Sequence, residues 1–128
     1  MKHSILVIDD DTLIVNTLKK KFESFNVEVY AANTPEEAKE WLDKAKPELV
    51  ILDLLLTEED GSEGILDYIK SKEELKNVPV LVLTNLDKPE LRQLLLSQGV
   101  KEYIVKGSLS LDALHQKVLS YLEPKTDK

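Results

Sequence analysis

The stretch Ile5-Leu6-Val7-Ile8-Asp9-Asp10-Asp11 is the most informative part of this 128-residue chain, because a continuous apolar run ends there on three acids. Continuous runs of isoleucine, leucine and valine are typical of parallel strands that are covered on both faces. A second run of this kind, Leu49 to Leu52, ends on Asp53. The two runs predict parallel strands whose carboxylates share one edge of a sheet, and open α/β sheets bind their ligands at that edge.

Two later apolar runs also end on polar residues. Thr84 follows the run 80–83, and Lys106 follows the run 103–105. If the four strands are neighbours in one sheet, all of these polar side chains project from the same edge. Three acids, one hydroxyl and one amine at one place suit a divalent metal ion together with phosphoryl chemistry.

Segments with a helical period separate the apolar runs. Strands are predicted at residues 4–8, 27–31, 48–53, 80–84 and 102–105. Helices are predicted at residues 12–25, from Thr34-Pro35 to a point before Pro47, around Ile65 to Ile69, from residues 87–90 to Gly99, and at residues 110–122. Five strand–helix units with short connections predict a doubly wound five-stranded parallel sheet with five helices on its two faces.

The helical period also predicts which side chains are buried. Asp11 and Thr34 are placed to cap the first two helices. The predicted apolar faces of the helices include Phe25, Trp41, Leu94 and Leu111.

Composition limits the function further. The net charge is −7, from 24 acidic against 17 basic residues, which argues against nonspecific nucleic-acid binding by this segment. The chain has no cysteine, and no apolar run approaches the roughly 20 residues of a membrane-spanning helix. We expect one domain over residues 1–123 with a polar tail at 124–128, no membrane contact, and by default a cytoplasmic location.

In the order acid pair, single acid, threonine and lysine, the chain resembles the receiver domain of bacterial two-component response regulators, over residues 3 to about 122. Residues 5–11 and 49–54 are similar to two signature segments of the family, and Asp60-Gly61 lies where the family usually has this pair. The resemblance implies a flavodoxin-like fold with strand order 2-1-3-4-5 and a switch point between the first and third strands.

The resemblance also implies a role for each site residue. Asp53 would accept a phosphoryl group from a histidine kinase or a histidine phosphotransfer protein. Asp10 and Asp53 would bind Mg²⁺ directly, Asp9 through water, and Leu55 through its backbone carbonyl. Lys106 would pair with Asp53 and then with a phosphoryl oxygen. Such a domain catalyses its own phosphorylation and dephosphorylation, and is not an enzyme for outside substrates.

Two further residues would transmit the effect of phosphorylation to the surface of the domain. The resemblance implies that Thr84 swings to bond a phosphoryl oxygen and that Tyr103 is the aromatic rotamer switch that follows it. The output would be a changed surface around the fourth helix, fifth strand and fifth helix, including Leu96, where an unknown downstream protein or effector domain binds. Dimerisation on phosphorylation is left open by the sequence.

Some positions depart from the family pattern. Asn85 stands where the family usually has alanine or glycine, and Thr57 replaces a frequent proline. Gly107 stands where proline is common, often after a cis peptide bond. A cis bond before a residue other than proline costs about 3 kcal/mol, so we predict a trans Lys106–Gly107 bond.

Two alternatives remain open. A pseudo-receiver would keep the fold as a binding module without phosphorylation, and Asn85 and Gly107 leave room for it. A phosphohydrolase of the haloacid-dehalogenase type would want a second acid two residues after the nucleophile, where this chain has Leu55. His3 and His115 have no metal-like spacing to the acids, so neither is assigned a role in the site.

Overall fold

The computed structural model describes residues 3–54 and 61–122, with the backbone alone for residues 61–63. The strands are β1 (His3–Ile8), β2 (Val27–Ala32), β3 (Leu49–Leu52), β4 (Val80–Thr84) and β5 (Glu102–Val105). The helices are α1 (Thr12–Glu23), α2 (Pro35–Ala45), α3 (Gly61–Ser71), α4 (Pro89–Ser97) and α5 (Leu111–Leu122). Leu55, Thr57, Asp60 and the tail 124–128 lie outside the described residues.

The five strands form one parallel sheet, as the sequence predicts, in the order β2-β1-β3-β4-β5 that the family resemblance implies. The strand order reverses between β1 and β3, where Ile8 lies beside Leu52. The N–H group of Asp53 donates to the carbonyl of Ile8 at 2.9 Å, so the pairing continues one residue past the end of β3. This register places Asp9 and Asp53 side by side at the carboxyl edge.

Each face of the sheet carries its own apolar layer, because successive side chains of a strand point to opposite faces. Leu6 and Ile8 of β1 belong to the layer covered by α2, α3 and α4. Ile5 and Val7 belong to the layer covered by α1 and α5. Burial on both faces explains why the strands are continuous apolar runs rather than alternating ones.

Both predicted helix caps are confirmed. The Oδ1 atom of Asp11 accepts hydrogen bonds from the N–H groups of Leu13 and Ile14, at 3.1 and 3.4 Å. The Oγ1 atom of Thr34 accepts the N–H group of Glu37 at 3.2 Å, and Pro35 occupies the first turn. These caps satisfy N–H groups that have no partner inside the helix.

Of two aromatic residues predicted to be buried, one is exposed and the other is partly buried against the apolar layer. Helix α1 ends at Glu23, so Phe25 lies in the turn that leads to β2 and is 53% exposed. Asn26 follows in the left-handed conformation, with φ of 65°, and this turn interrupts the helical period. Trp41 is half-buried and stacks on Tyr30 of the edge strand, with 4.6 Å between the ring centroids.

Two leucines predicted to be buried are exposed. Leu94 on α4 is 52% exposed, whereas Leu95 beside it is buried. Leu111, the first residue of α5, is also exposed. None of the helices in the two described ranges is long and apolar enough to cross a membrane.

Replacing Thr34 with alanine should lower the free energy of unfolding by about 1 kcal/mol, because the Glu37 N–H group loses its acceptor. Thr34→Ser keeps an acceptor oxygen and is the matched control. Urea denaturation in the absence of metal gives both values. An alanine variant as stable as the serine variant would contradict the assignment of this cap.

Candidate functional site

Asp9, Asp10 and Asp53 form one acidic cluster at the carboxyl edge. One carboxylate oxygen from each residue lies within 4.8 Å of the other two. Asp9 is 3% exposed and Asp53 is 4% exposed, whereas Asp10 is open to solvent. The cluster therefore has two buried members and one exposed member through which a ligand can enter.

Lys106 supplies the positive charge of the cluster. Its Nζ atom lies 2.9 Å from Oδ2 of Asp9 and 3.4 Å from Oδ2 of Asp53. The sequence predicts the contact with Asp53, and the structure adds a shorter one with Asp9. Both contacts follow from the sheet order, since Lys106 follows β5 and reaches across the end of β4 toward β3 and β1.

Burial, neighbouring charges and hydrogen bonds all shift the pKa values of Asp9 and Lys106. Burial raises the pKa of the Asp9 carboxyl, and the negative charge of Asp53 adds to that effect. The Asp11 N–H group and the Lys106 ammonium oppose it. Burial disfavours the Lys106 ammonium, but its ion pairs with Asp9 and Asp53 outweigh burial and raise the Lys106 pKa.

The turn after β1 holds the Asp9 side chain. The N–H group of Asp11 donates to Oδ1 of Asp9 at 2.9 Å, while Lys106 holds Oδ2. The Asp9 N–H group donates to the carbonyl of Ala32 on β2 at 3.0 Å. Asp9 is therefore fixed by the backbone on one side and by the lysine on the other.

Thr84 and Tyr103 are joined through the backbone of Leu86. Thr84 is buried at the end of β4, and its Oγ1 atom accepts the Leu86 N–H group at 3.3 Å. The Tyr103 hydroxyl donates to the Leu86 carbonyl at 2.5 Å. The sequence pattern predicts both side chains but not this link, because backbone groups leave no signal in the residue types.

Tyr103 points into the protein. Its ring belongs to the apolar layer under α3 and α4, and burial raises the pKa of its hydroxyl. A buried tyrosine hydroxyl needs a hydrogen-bond partner, and the Leu86 carbonyl supplies it. The inward ring therefore depends on the position of the loop that follows β4.

Two of the departures from the family pattern, Asn85 and Gly107, lie beside the site within the described residues. No cis peptide bond occurs within residues 3–54 and 61–122, so the predicted trans bond before Gly107 is confirmed. Gly107 has a φ of 87°, a backbone conformation that other residues rarely adopt. Asn85 is exposed beside Thr84. Leu55, the predicted backbone ligand, lies outside the described residues.

Replacing Lys106 with methionine should destabilise the metal-free protein by roughly 3–5 kcal/mol, the usual cost of leaving one buried partner of an ion pair unpaired. The loss should shrink as the pH falls, because protonation removes the unpaired charge of Asp9. Lys19→Met, which removes an exposed pair with Glu23, is the matched control. Urea denaturation in a chelating buffer gives the free energy of unfolding of both variants. Equal losses of stability in the two variants would contradict the importance of the buried pair.

Sequence comparison shows which family this chain is similar to. Residues 5–119 match the family profile described as "Response regulator receiver domain". The alkaline phosphatase synthesis transcriptional regulatory protein PhoP of Bacillus subtilis is 32% identical over 106 residues, which cover 83% of this chain and 43% of PhoP. The response regulator protein GraR of Staphylococcus aureus strain Newman is 28% identical over 102 residues, which cover 80% of this chain and 44% of GraR.

Solved structures agree with the sequence match. The non-phosphorylated HemR receiver domain of Leptospira biflexa has a TM-score of 0.85 and 27% identity, with 99% of each chain covered. A two-component response regulator of Clostridium difficile has a TM-score of 0.81 and 26% identity, with 94% of this chain and 96% of that chain covered. The chain spans less than half the length of the curated relatives it matches. Fold, strand order and sequence thus agree that this chain belongs to the family of response regulator receiver domains, the signalling domains of two-component systems.

Proposed function

We propose that Asp53 accepts a phosphoryl group from a phosphohistidine of a histidine kinase or a histidine phosphotransfer protein. One observation carries this proposal: the buried Asp53 carboxylate lies 3.4 Å from the Lys106 ammonium, inside a cluster that also holds Asp9 and Asp10. Carboxylates are established nucleophiles for phosphoryl groups in proteins. The reaction depends mainly on positioning and on neutralising charge, and these groups serve both needs.

The transfer balances as a simple displacement. An oxygen of Asp53 forms a bond to phosphorus while the bond from phosphorus to the donor imidazole nitrogen breaks. The electron pair leaves with the imidazole, which takes up a proton, and Asp53 becomes an acyl phosphate. Lys106, which already contacts Asp53, then neutralises an oxygen of the transferred group. Thr84 bonds another of these oxygens.

The acidic cluster fits a magnesium ion. Mg²⁺ prefers hard oxygen ligands and is usually held by one or two carboxylates together with waters and phosphate oxygens. We propose that Asp10 and Asp53 hold it directly, Asp9 through water, and the Leu55 carbonyl from the neighbouring loop. When bound, the ion supplies positive charge to the phosphoryl oxygens.

A downstream partner would recognise the change through the face of α4, β5 and α5. Phosphorylation would draw the Thr84 hydroxyl away from the Leu86 N–H group, and Leu86 also holds Tyr103. Leu96 exposes apolar surface on α4 that a partner would contact. The partner would be a separate protein or an attached effector domain, since a segment with net charge −7 is poorly suited to bind DNA itself.

Magnesium should stabilise the protein by about 2.7 kcal/mol when its concentration is a hundred times its dissociation constant. Asp10→Asn should abolish most of this gain without disturbing the core, because Asp10 is exposed. Asp11→Asn, which keeps a capping oxygen, is the neighbouring control. Thermal denaturation with and without Mg²⁺ tests this, and an unchanged gain in Asp10→Asn would contradict the proposed ligand set.

Incubation with acetyl phosphate and Mg²⁺ should add one phosphoryl group, read by intact-protein mass. The Asp53→Asn variant should show no increase in mass, whereas Asp67→Asn, at an exposed position on α3, should show the same increase as the wild-type protein. A gain that survives in Asp53→Asn would refute Asp53 as the acceptor.

No gain in the wild-type protein would favour the pseudo-receiver alternative. Asn85→Ala distinguishes this outcome from a site that a neighbouring side chain closes. If Asn85→Ala takes up the phosphoryl group, the chemistry is intact and Asn85 limits entry of the donor.

A further inference from the structure

A buried histidine lies at the contact between α1 and α5, away from the acidic cluster. His115 of α5 is 1% exposed. Its Nε2 atom has no hydrogen-bond partner among the described residues. Buried polar atoms normally have partners, so this one needs an explanation.

Two phenylalanines enclose the imidazole ring. Phe22 of α1 is fully buried, and its ring centroid lies 5.2 Å from that of His115. Phe25 covers the ring from the turn after α1, with 4.1 Å between the centroids, although it is 53% exposed. Phe22 therefore belongs to the core, whereas Phe25 is a cover that lies between the histidine and solvent.

Two charged groups act on this contact. Lys21 of α1 forms an ion pair with Asp112 of α5, one turn before His115. The Lys21 Nζ atom also lies 5.3 Å from the centroid of the Phe25 ring. The buried sheet residues of this layer are apolar: Ile5, Val7, Val27, Val29, Leu49, Ile51, Leu81, Leu83 and Ile104. Glu102 of β5 also faces α5, but its carboxylate is held by Lys117 at 3.4 Å and by the Tyr121 hydroxyl at 2.7 Å.

We propose that Phe25 and His115 form a proton-sensitive contact between the turn after α1 and helix α5. The contact is closed when the imidazole is neutral and covered by Phe25, and it opens when the imidazole takes up a proton. Opening moves the Phe25 side chain into solvent and lets water reach Nε2.

The packing explains why Phe25 is the part that moves. A buried imidazolium without an acceptor is costly, so protonation favours any state that hydrates it. Phe22 is held in the apolar layer between helix and sheet, but Phe25 is already half in solvent. Asp112 can then leave Lys21 and turn to the imidazolium on its own helix.

The direction of the pH effect follows from burial. Burial lowers the pKa of His115 below its ordinary value of 6.5, the Lys21 charge adds to this, and Asp112 opposes it. The unfolded or open chain therefore binds a proton before the closed form does. Stability of the closed form is complete above about pH 6.5 and declines as the pH falls from there toward the folded pKa.

The test uses the two histidines of the chain, His3 and His115, whose imidazole signals can be followed by carbon–proton correlation NMR. Phe25→Ala removes the cover from an exposed position and should leave the fold intact. We expect the His115 midpoint to move upward toward the ordinary value in this variant. Phe25→Leu, which keeps an apolar cover, should give a smaller upward shift. The curve of His3, which pairs with Glu48, is the internal control.

A second readout follows the cover itself in the wild-type protein. The Phe25 ring signals should move to those of a solvated phenylalanine with the same midpoint as His115, and His115→Gln should abolish this change. The proposal is overturned if His115 titrates identically in wild type and Phe25→Ala, or if the Phe25 signals stay fixed while His115 takes up its proton. Neither readout depends on Asp53 chemistry.

Discussion

The contact between the Lys106 ammonium and two buried carboxylates is the interaction on which the site depends. Strand pairing alone would bring Asp9 and Asp53 together at the switch point of the sheet. Two buried like charges repel each other, and burial makes each of them costly. Lys106 reaches both from the end of β5, which permits an acidic site at the centre of a well-packed sheet.

The same contact bears on the proposed metal site, because Lys106 pairs with two of its three carboxylates. Lys106 is closer to Asp9 than to Asp53, so it neutralises part of the negative charge of both carboxylates. On the proposed function, a metal ion held by the cluster would take over the neutralisation of Asp9, and Lys106 would be able to contact the transferred phosphoryl group. Sites that tolerate such local conflict among charges are commonly functional.

The sequence predicts the parts of the fold that repeat along the chain. Apolar runs predicted the strands, capping residues predicted the starts of α1 and α2, and polar residues at the ends of four strands predicted the candidate site. These predictions succeed because they depend on neighbouring residues alone: the side-chain period is two residues in a strand and 3.6 in a helix, and a cap bonds to N–H groups two or three residues away. The predicted burial of Phe25 and Leu94 was wrong, because a helical period shows neither where a helix ends nor how wide its buried face is.

Tertiary contacts account for what the sequence did not predict. The link from Thr84 through Leu86 to Tyr103 runs over backbone atoms, and the shorter Lys106 contact to Asp9 depends on the reach of one side chain across three strands. The sequence gives His115 no role in the site because it has no metal-like spacing to the acids, and its contacts with Phe22 and Phe25 are visible only in the structure. The spacing of residues along the chain does not predict such contacts.

A crystal structure with Mg²⁺ and the phosphoryl analogue beryllofluoride would test the central claim most directly. The account predicts the analogue on a carboxylate oxygen of Asp53, the metal ion among Asp9, Asp10 and Asp53, and the Lys106 ammonium moved from Asp9 to the analogue. An analogue bound elsewhere, or a Lys106 that keeps its contact with Asp9 while Asp53 carries nothing, would contradict it.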